Sequence, residues 1–271
     1  MARRRSLQEI IEEHAARNAR PTNFISADFS HLDKATLVPF SDLHKGSPNF
    51  REELFMENLE WCWDKPDVVL ILNGDLIEAA TRYSVGSGVY EQRMTAGEQI
   101  DWAYSVFKPF AEEGRIIGTT NGNHEDRVFK ETGVDVSAAL AGMLGVPYYR
   151  NGGFVKMRVG SQNYHLYATH GSSGAREPTQ KMLPLLKLSR FIDADVYLMG
   201  HVHEKAATAM ECRYIDNRSG TVRTKERHFV LTGHYLGWEN SYAQAQSMPP
   251  SKMGTPKVKL HGDEYMIRVS V

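Results

Sequence analysis

The chain has 271 residues, 41% of them hydrophobic and 24% charged, which are the proportions of a globular protein with a sizeable core. A net charge of -1 excludes a surface that traps duplex nucleic acid or anionic membrane by charge alone. The two cysteines, Cys62 and Cys212, lie far apart without C-x-x-C spacing, so reduced thiols and a cytoplasmic setting are expected.

The start, Met1-Ala2-Arg3-Arg4-Arg5, is basic, but no apolar stretch follows, so neither a signal peptide nor a membrane span is read there. Leu7, Ile10, Ile11, His14 and Ala15 instead share one face of an amphipathic helix over residues 1–19. Arg20-Pro21-Thr22-Asn23 breaks it. Residues 1–30 are read as an N-terminal extension, with Asp28-Phe29-Ser30-His31 as a turn, and residues 31–271 as one domain.

Thr36-Leu37-Val38-Pro39-Phe40 reads as a buried strand that ends in Ser41-Asp42-Leu43-His44. Asp42 and His44, two apart on extended chain, point the same way, and a carboxylate beside an imidazole suits a divalent metal. A helix is expected over 52–63. Val68-Val69-Leu70-Ile71-Leu72 is uninterrupted and β-branched, as in a central strand covered on both faces. It ends in Asn73-Gly74-Asp75, where Gly74 permits a sharp turn that presents Asp75. A long irregular loop spans 81–97, followed by a helix over 98–113 and a strand over 115–120 that runs into Asn121-Gly122-Asn123-His124-Glu125. Another helix is expected over 134–144, closed by Gly145.

Beyond Pro147 the pattern turns to hairpins. Residues 154–159 and 164–169 alternate and end at His170-Gly171. A helix over 178–191 precedes a strand at 194–199, which ends in Gly200-His201-Val202-His203. Strands are expected near 208–214 and 227–232, with a closing hairpin in 257–271.

Five strand ends therefore carry polar clusters, most beside a glycine. Each alone has an ordinary structural explanation, such as a helix cap, a turn or a core histidine; five in sequence do not. The order Asp42-x-His44, Gly74-Asp75, Gly122-Asn123-His124-Glu125, His170-Gly171 and Gly200-His201-x-His203 resembles the calcineurin-like metallophosphoesterases, over roughly residues 36–235. The capless layout looks like small bacterial or phage members.

The resemblance implies an α/β fold, a four-layer α-β-β-α sandwich of two mixed sheets flanked by helices. It also implies two divalent ions. Asp42, His44, Asp75 and His203 would hold one; Asp75, Asn123, His170 and His201 would hold the other, with Asp75 bridging. Manganese is expected, with iron, zinc or nickel as alternatives on the same mixed nitrogen and oxygen donors. A hydroxide between the metals would attack phosphorus, and His124 would act as general acid. Glu78 stands where many relatives have Asp, and is assigned to orient His124. Arg82, Arg127 and Arg176 are candidate phosphate clamps, as is Arg93, with Arg127 best placed. Tyr83, Tyr90, Tyr235, Trp238 and Tyr242 are candidates for stacking on a base.

The expected activity is phosphoester hydrolysis, with a phosphodiester of a nucleotide or single-stranded nucleic acid favoured. The alternatives are a phosphomonoesterase and a scaffold of the same fold without catalysis. No membrane partner is expected, and the sequence does not determine the oligomeric state.

Overall fold

A computed structural model describes residues 6–8, 20–82, 84 and 88–271. The helix expected over residues 1–19 lies almost wholly outside them, as do Tyr83 and residues 85–87. Two six-stranded mixed sheets pack face to face, with helices on both outer sides. This is the sandwich that the resemblance implies.

One sheet contains β2 (Lys34–Phe40), β3 (Val68–Asn73), β4 (Ile116–Thr120) and β5 (Tyr148–Arg150) in parallel, extended by β11 (Lys257–His261) and β12 (Ile267–Ser270) in antiparallel order. The other has the order β1 (Phe24–Phe29), β6 (Gly153–Val159), β7 (Gln162–Thr169), β8 (Val196–Met199), β10 (Thr221–Thr232) and β9 (Lys205–Asp216).

Period-two alternation assigns the layers. Leu37, Val69, Ile71 and Ile117 face Val155, Leu166, Val196 and Val230 between the sheets. Val38, Phe40, Val68, Leu70 and Leu72 point the other way. They meet α1 (Glu52–Trp63), α2 (Ala96–Glu112) and α4 (Val136–Leu144). On the far side, Leu185 of the short α6 (Leu183–Leu188) covers Tyr197 and Phe229.

Local chemistry sets the boundaries. Thr95 and Glu98 form a reciprocal capping box, so α2 begins two residues before the expected start. Between β4 and α4 an additional helix, α3 (Asn123–Thr132), ends at Gly133, whose φ is +75°. Asp135 then caps α4 at the Ala138 N–H. The helix expected over 178–191 is two short pieces, α5 (Pro178–Lys181) and α6. Pro184 lies in the first turn of α6, where its missing N–H is tolerated. The buried Arg115 guanidinium donates to the carbonyls of Cys62, Lys65 and Val68, tying the end of α1 to β3.

Two expectations need correction. Residues 24–29, placed in the N-terminal extension, form edge strand β1 paired parallel to β6; only Ser30 and His31 turn. Its half-buried, mixed residues hide the strand signal. The strands near 208–214 and 227–232 are parts of one hairpin with 12 residues in each arm. Most of its outer part has no buried face, so it carries no alternating pattern.

Candidate metal centre

The loops after β2, β3, β4, β7 and β8 meet at one rim of the sandwich, where open α/β sheets place ligands. They bring together all seven residues proposed as metal ligands. Asp42, His44 and His203 converge, as do Asp75, His170 and His201; the donor atoms in each group lie within 4.8 Å of one another.

His44 Nε2 is 3.1 Å from His203 Nε2, and His203 Nε2 is 3.2 Å from Asp42 Oδ1. His170 Nε2 is 3.2 Å from Asp75 Oδ2. Asn123 Oδ1 lies 3.2 Å from His170 Nε2 and 2.7 Å from His201 Nδ1. Asp75 Oδ2 also approaches His44 Nε2 at 3.7 Å, so its carboxylate stands between the two groups.

The backbone is bent to make this arrangement. Asp42, His44, Asp75, His201 and His203 all have φ between +46° and +68°. Residues other than glycine rarely adopt such values, and each costs on the order of 1–3 kcal/mol. Five of the seven proposed ligands thus occupy the left-handed region. Such strain persists only where the surroundings over-determine it.

The donor set fits cations. Burial drives the His44 pKa well below its usual value, so this ring is neutral. Two imidazole nitrogens 3.1 Å apart share at most one proton, and they face a carboxylate oxygen. His170 Nδ1 donates to the Asn73 carbonyl at 2.8 Å, which leaves Nε2 to face Asp75 and Asn123. Burial alone would lower the His170 pKa, but the Asp75 and Asp42 carboxylates outweigh it and raise the pKa to about 10. The pocket demands positive charge there, which a bound cation supplies as well as a proton does.

Supporting residues fix the proposed ligands. The His201 N–H donates to both Asp42 carboxylate oxygens, at 3.1 and 3.0 Å, and the His124 N–H donates to Asp75 Oδ1 at 2.9 Å. Buried Glu125 was legible only as part of the third motif. Its carboxylate accepts the N–H groups of Asp75, Leu76 and Ile77 at 3.0, 2.8 and 3.3 Å, clamping the turn that presents Asp75. His234, which the sequence reading missed entirely, stacks on His203 with ring centroids 5.3 Å apart.

The geometry redistributes the role assigned to Glu78. Its backbone carbonyl, not its carboxylate, accepts the Nδ1–H of His124 at 2.8 Å. The carboxylate stays 3.5 Å from that nitrogen and lies 3.1 Å from His44 Nδ1. Glu78→Gln is therefore expected to weaken metal binding about tenfold by loosening His44, the usual cost of losing such a partner. Metal titration of the variant checks this, and an affinity equal to wild type would contradict it.

Arg127 Nη2 reaches His124 Nε2 at 2.5 Å, and Nη1 donates to Ser84 at 2.7 Å. Arg127 and Arg176 line a cavity of about 450 Å³ that His44, Asp75, Asn123, His201 and His203 also line. Arg82 and Arg93 are exposed and do not line it. Of the aromatic candidates, Trp238 and Tyr242 form part of its wall, Tyr235 is buried in the core, and Tyr90 is fully exposed. No helix among the described residues is long and apolar enough to cross a membrane.

No protein-family model and no curated protein matches the chain. Among solved structures, a conserved uncharacterized protein and predicted phosphoesterase from Streptococcus pneumoniae is 13% identical over 88% of this chain and 97% of its own, with a TM-score of 0.37. Vps29 from Entamoeba histolytica is 12% identical over 87% and 97%, with a TM-score of 0.42. Vps29 from Chaetomium thermophilum is 13% identical over 87% and 95%, with a TM-score of 0.40. Likeness at this level assigns no chemistry, and the functional reading rests on the residues of the site.

Proposed function

We propose that this protein is a metal-dependent phosphoester hydrolase that uses two divalent cations and favours phosphodiesters carrying a nucleoside. The observation that supports it best is the position of Asp75, one carboxylate within 3.7 Å of His44 and 3.2 Å of His170. On this reading Asp42, His44, His203 and Asp75 hold one cation, and Asp75, Asn123, His170 and His201 hold the other. Mixed nitrogen and oxygen donors suit manganese, and iron, zinc or nickel as alternatives. When bound, such a pair supplies the charge that makes water nucleophilic at neutral pH and offsets negative charge on phosphate.

The remaining work falls to the chain. Arg127 and Arg176 line the cavity and attract the phosphoryl oxygens. His124 delivers a proton to the leaving oxygen from Nε2, its tautomer fixed by the Nδ1–H bond to Glu78 O. Burial first, and Arg127 further, lower the His124 pKa to about 4, against the pull of Asp75. The resting ring is therefore neutral. A docked phosphate brings negative charge beside it and draws Arg127 away, and both changes favour the protonated ring.

The cavity wall speaks for a substrate that carries a nucleoside. Trp238, Tyr242, Met248 and Pro249 are among the residues that line it. A bare phosphate would leave that wall uncovered, whereas a planar base would cover it. The test compares bis-p-nitrophenyl phosphate, p-nitrophenyl phosphate and single-stranded DNA with manganese present. Hydrolysis of the diesters without the monoester is expected. Monoester activity alone would overturn the substrate class, and inactivity of protein carrying two ions would overturn hydrolysis.

A further inference from the structure

We infer that β9 pairs antiparallel with the β9 of a second copy of this chain, in the register centred on Cys212. The inference is independent of the chemistry at the metal centre.

β9 is the last strand of its sheet, and among the described residues no strand pairs with its outer side. It offers 12 residues of backbone as a template for pairing. The outer arm of the hairpin also exposes Met210, Tyr214, Ile215 and Val222.

Charge identifies the partner. Within the hairpin Glu211 stands opposite Glu226, a like-charge pair, and Arg213 stands opposite Thr224. Neither Glu211 nor Arg213 has an ion-pair partner among the described residues. Two-fold pairing about Cys212 places each Glu211 opposite Arg213 of the other copy, twice over. The same register sets Met210 against Tyr214 and Ala209 against Ile215. A slip of two residues in either direction would bring Glu211 against Glu211, or Arg213 against Arg213. A slip of one would set Glu211 against Cys212 or Tyr214 and leave both charges unpaired. The strand is thus complementary to itself in one register, as an isologous interface requires.

The test is sedimentation velocity at about 100 µM, where a dimer of micromolar Kd is largely formed. Wild type is expected at twice the 30.6 kDa of one chain. Glu211→Arg should sediment as a monomer, although it gives Glu226 an opposite charge within the hairpin and so should not unfold the arm. The double exchange Glu211→Arg, Arg213→Glu should restore the dimer. A short bismaleimide should join two wild-type chains and fail with Cys212→Ser. A monomeric wild type, a dimer indifferent to Glu211→Arg, a double exchange that stays monomeric, or cross-linking that survives Cys212→Ser would each overturn the inference.

Discussion

Asp75→Asn is expected to lose bound metal and to slow phosphodiester hydrolysis about a thousandfold or more, while remaining folded. Asparagine has nearly the same shape and can still accept the His124 N–H that Asp75 now accepts at 2.9 Å. It cannot supply the negative charge. Burial alone would raise the Asp75 pKa, but the neighbouring His170 ring outweighs this and holds the carboxyl well below the usual range, so the wild-type group is ionised at neutral pH. Removing that charge affects both groups of donors at once, because Asp75 faces His44 on one side and His170 on the other. Elemental analysis, turnover and a thermal melt on one preparation settle the matter. Two retained ions with an undiminished rate would sink the proposed centre.

His124→Ala should leave metal content intact and reduce turnover by about a hundredfold to ten-thousandfold on a nucleotide-type diester. The same substitution should matter far less for bis-p-nitrophenyl phosphate, whose p-nitrophenolate departs without needing a proton. The contrast separates proton donation from electrostatic support, which would serve both substrates alike. Equal losses on the two would remove His124 as the proton donor and leave it beside Arg127 as a phosphate contact.

Most of the proposed ligands were legible in the sequence because they follow strands buried in the fold, and His170 because it ends an alternating one. Val68–Leu72 announces β3, so Asp75 is marked by what precedes it. The four layers were less legible, and their form came from the resemblance. Side-chain reach was not legible at all. Glu78 stands three residues after Asp75, where the resemblance links it to His124, yet its carboxylate lies closer to His44. Glu125 looks like one more charge in a polar motif until three N–H groups from a distant turn close on it. His234 follows β10, and only the tertiary fold lays it against His203. The arm of the β9–β10 hairpin was underread for the opposite reason: a strand exposed on both faces leaves no periodic trace.

The proposed ligands come from both sheets: Asp42, His44, Asp75 and Asn123 follow strands of one, and His170, His201 and His203 follow strands of the other. A chain leaving the ribosome cannot finish one site until His201 has emerged or the other until His203 has, so ion capture would belong to a late stage of biogenesis. Once captured, the ions would rivet the two sheets together at one edge. Chelation should then do more than stop turnover: it should let the halves of the sandwich breathe apart, with amide exchange rising first in the loops at that rim.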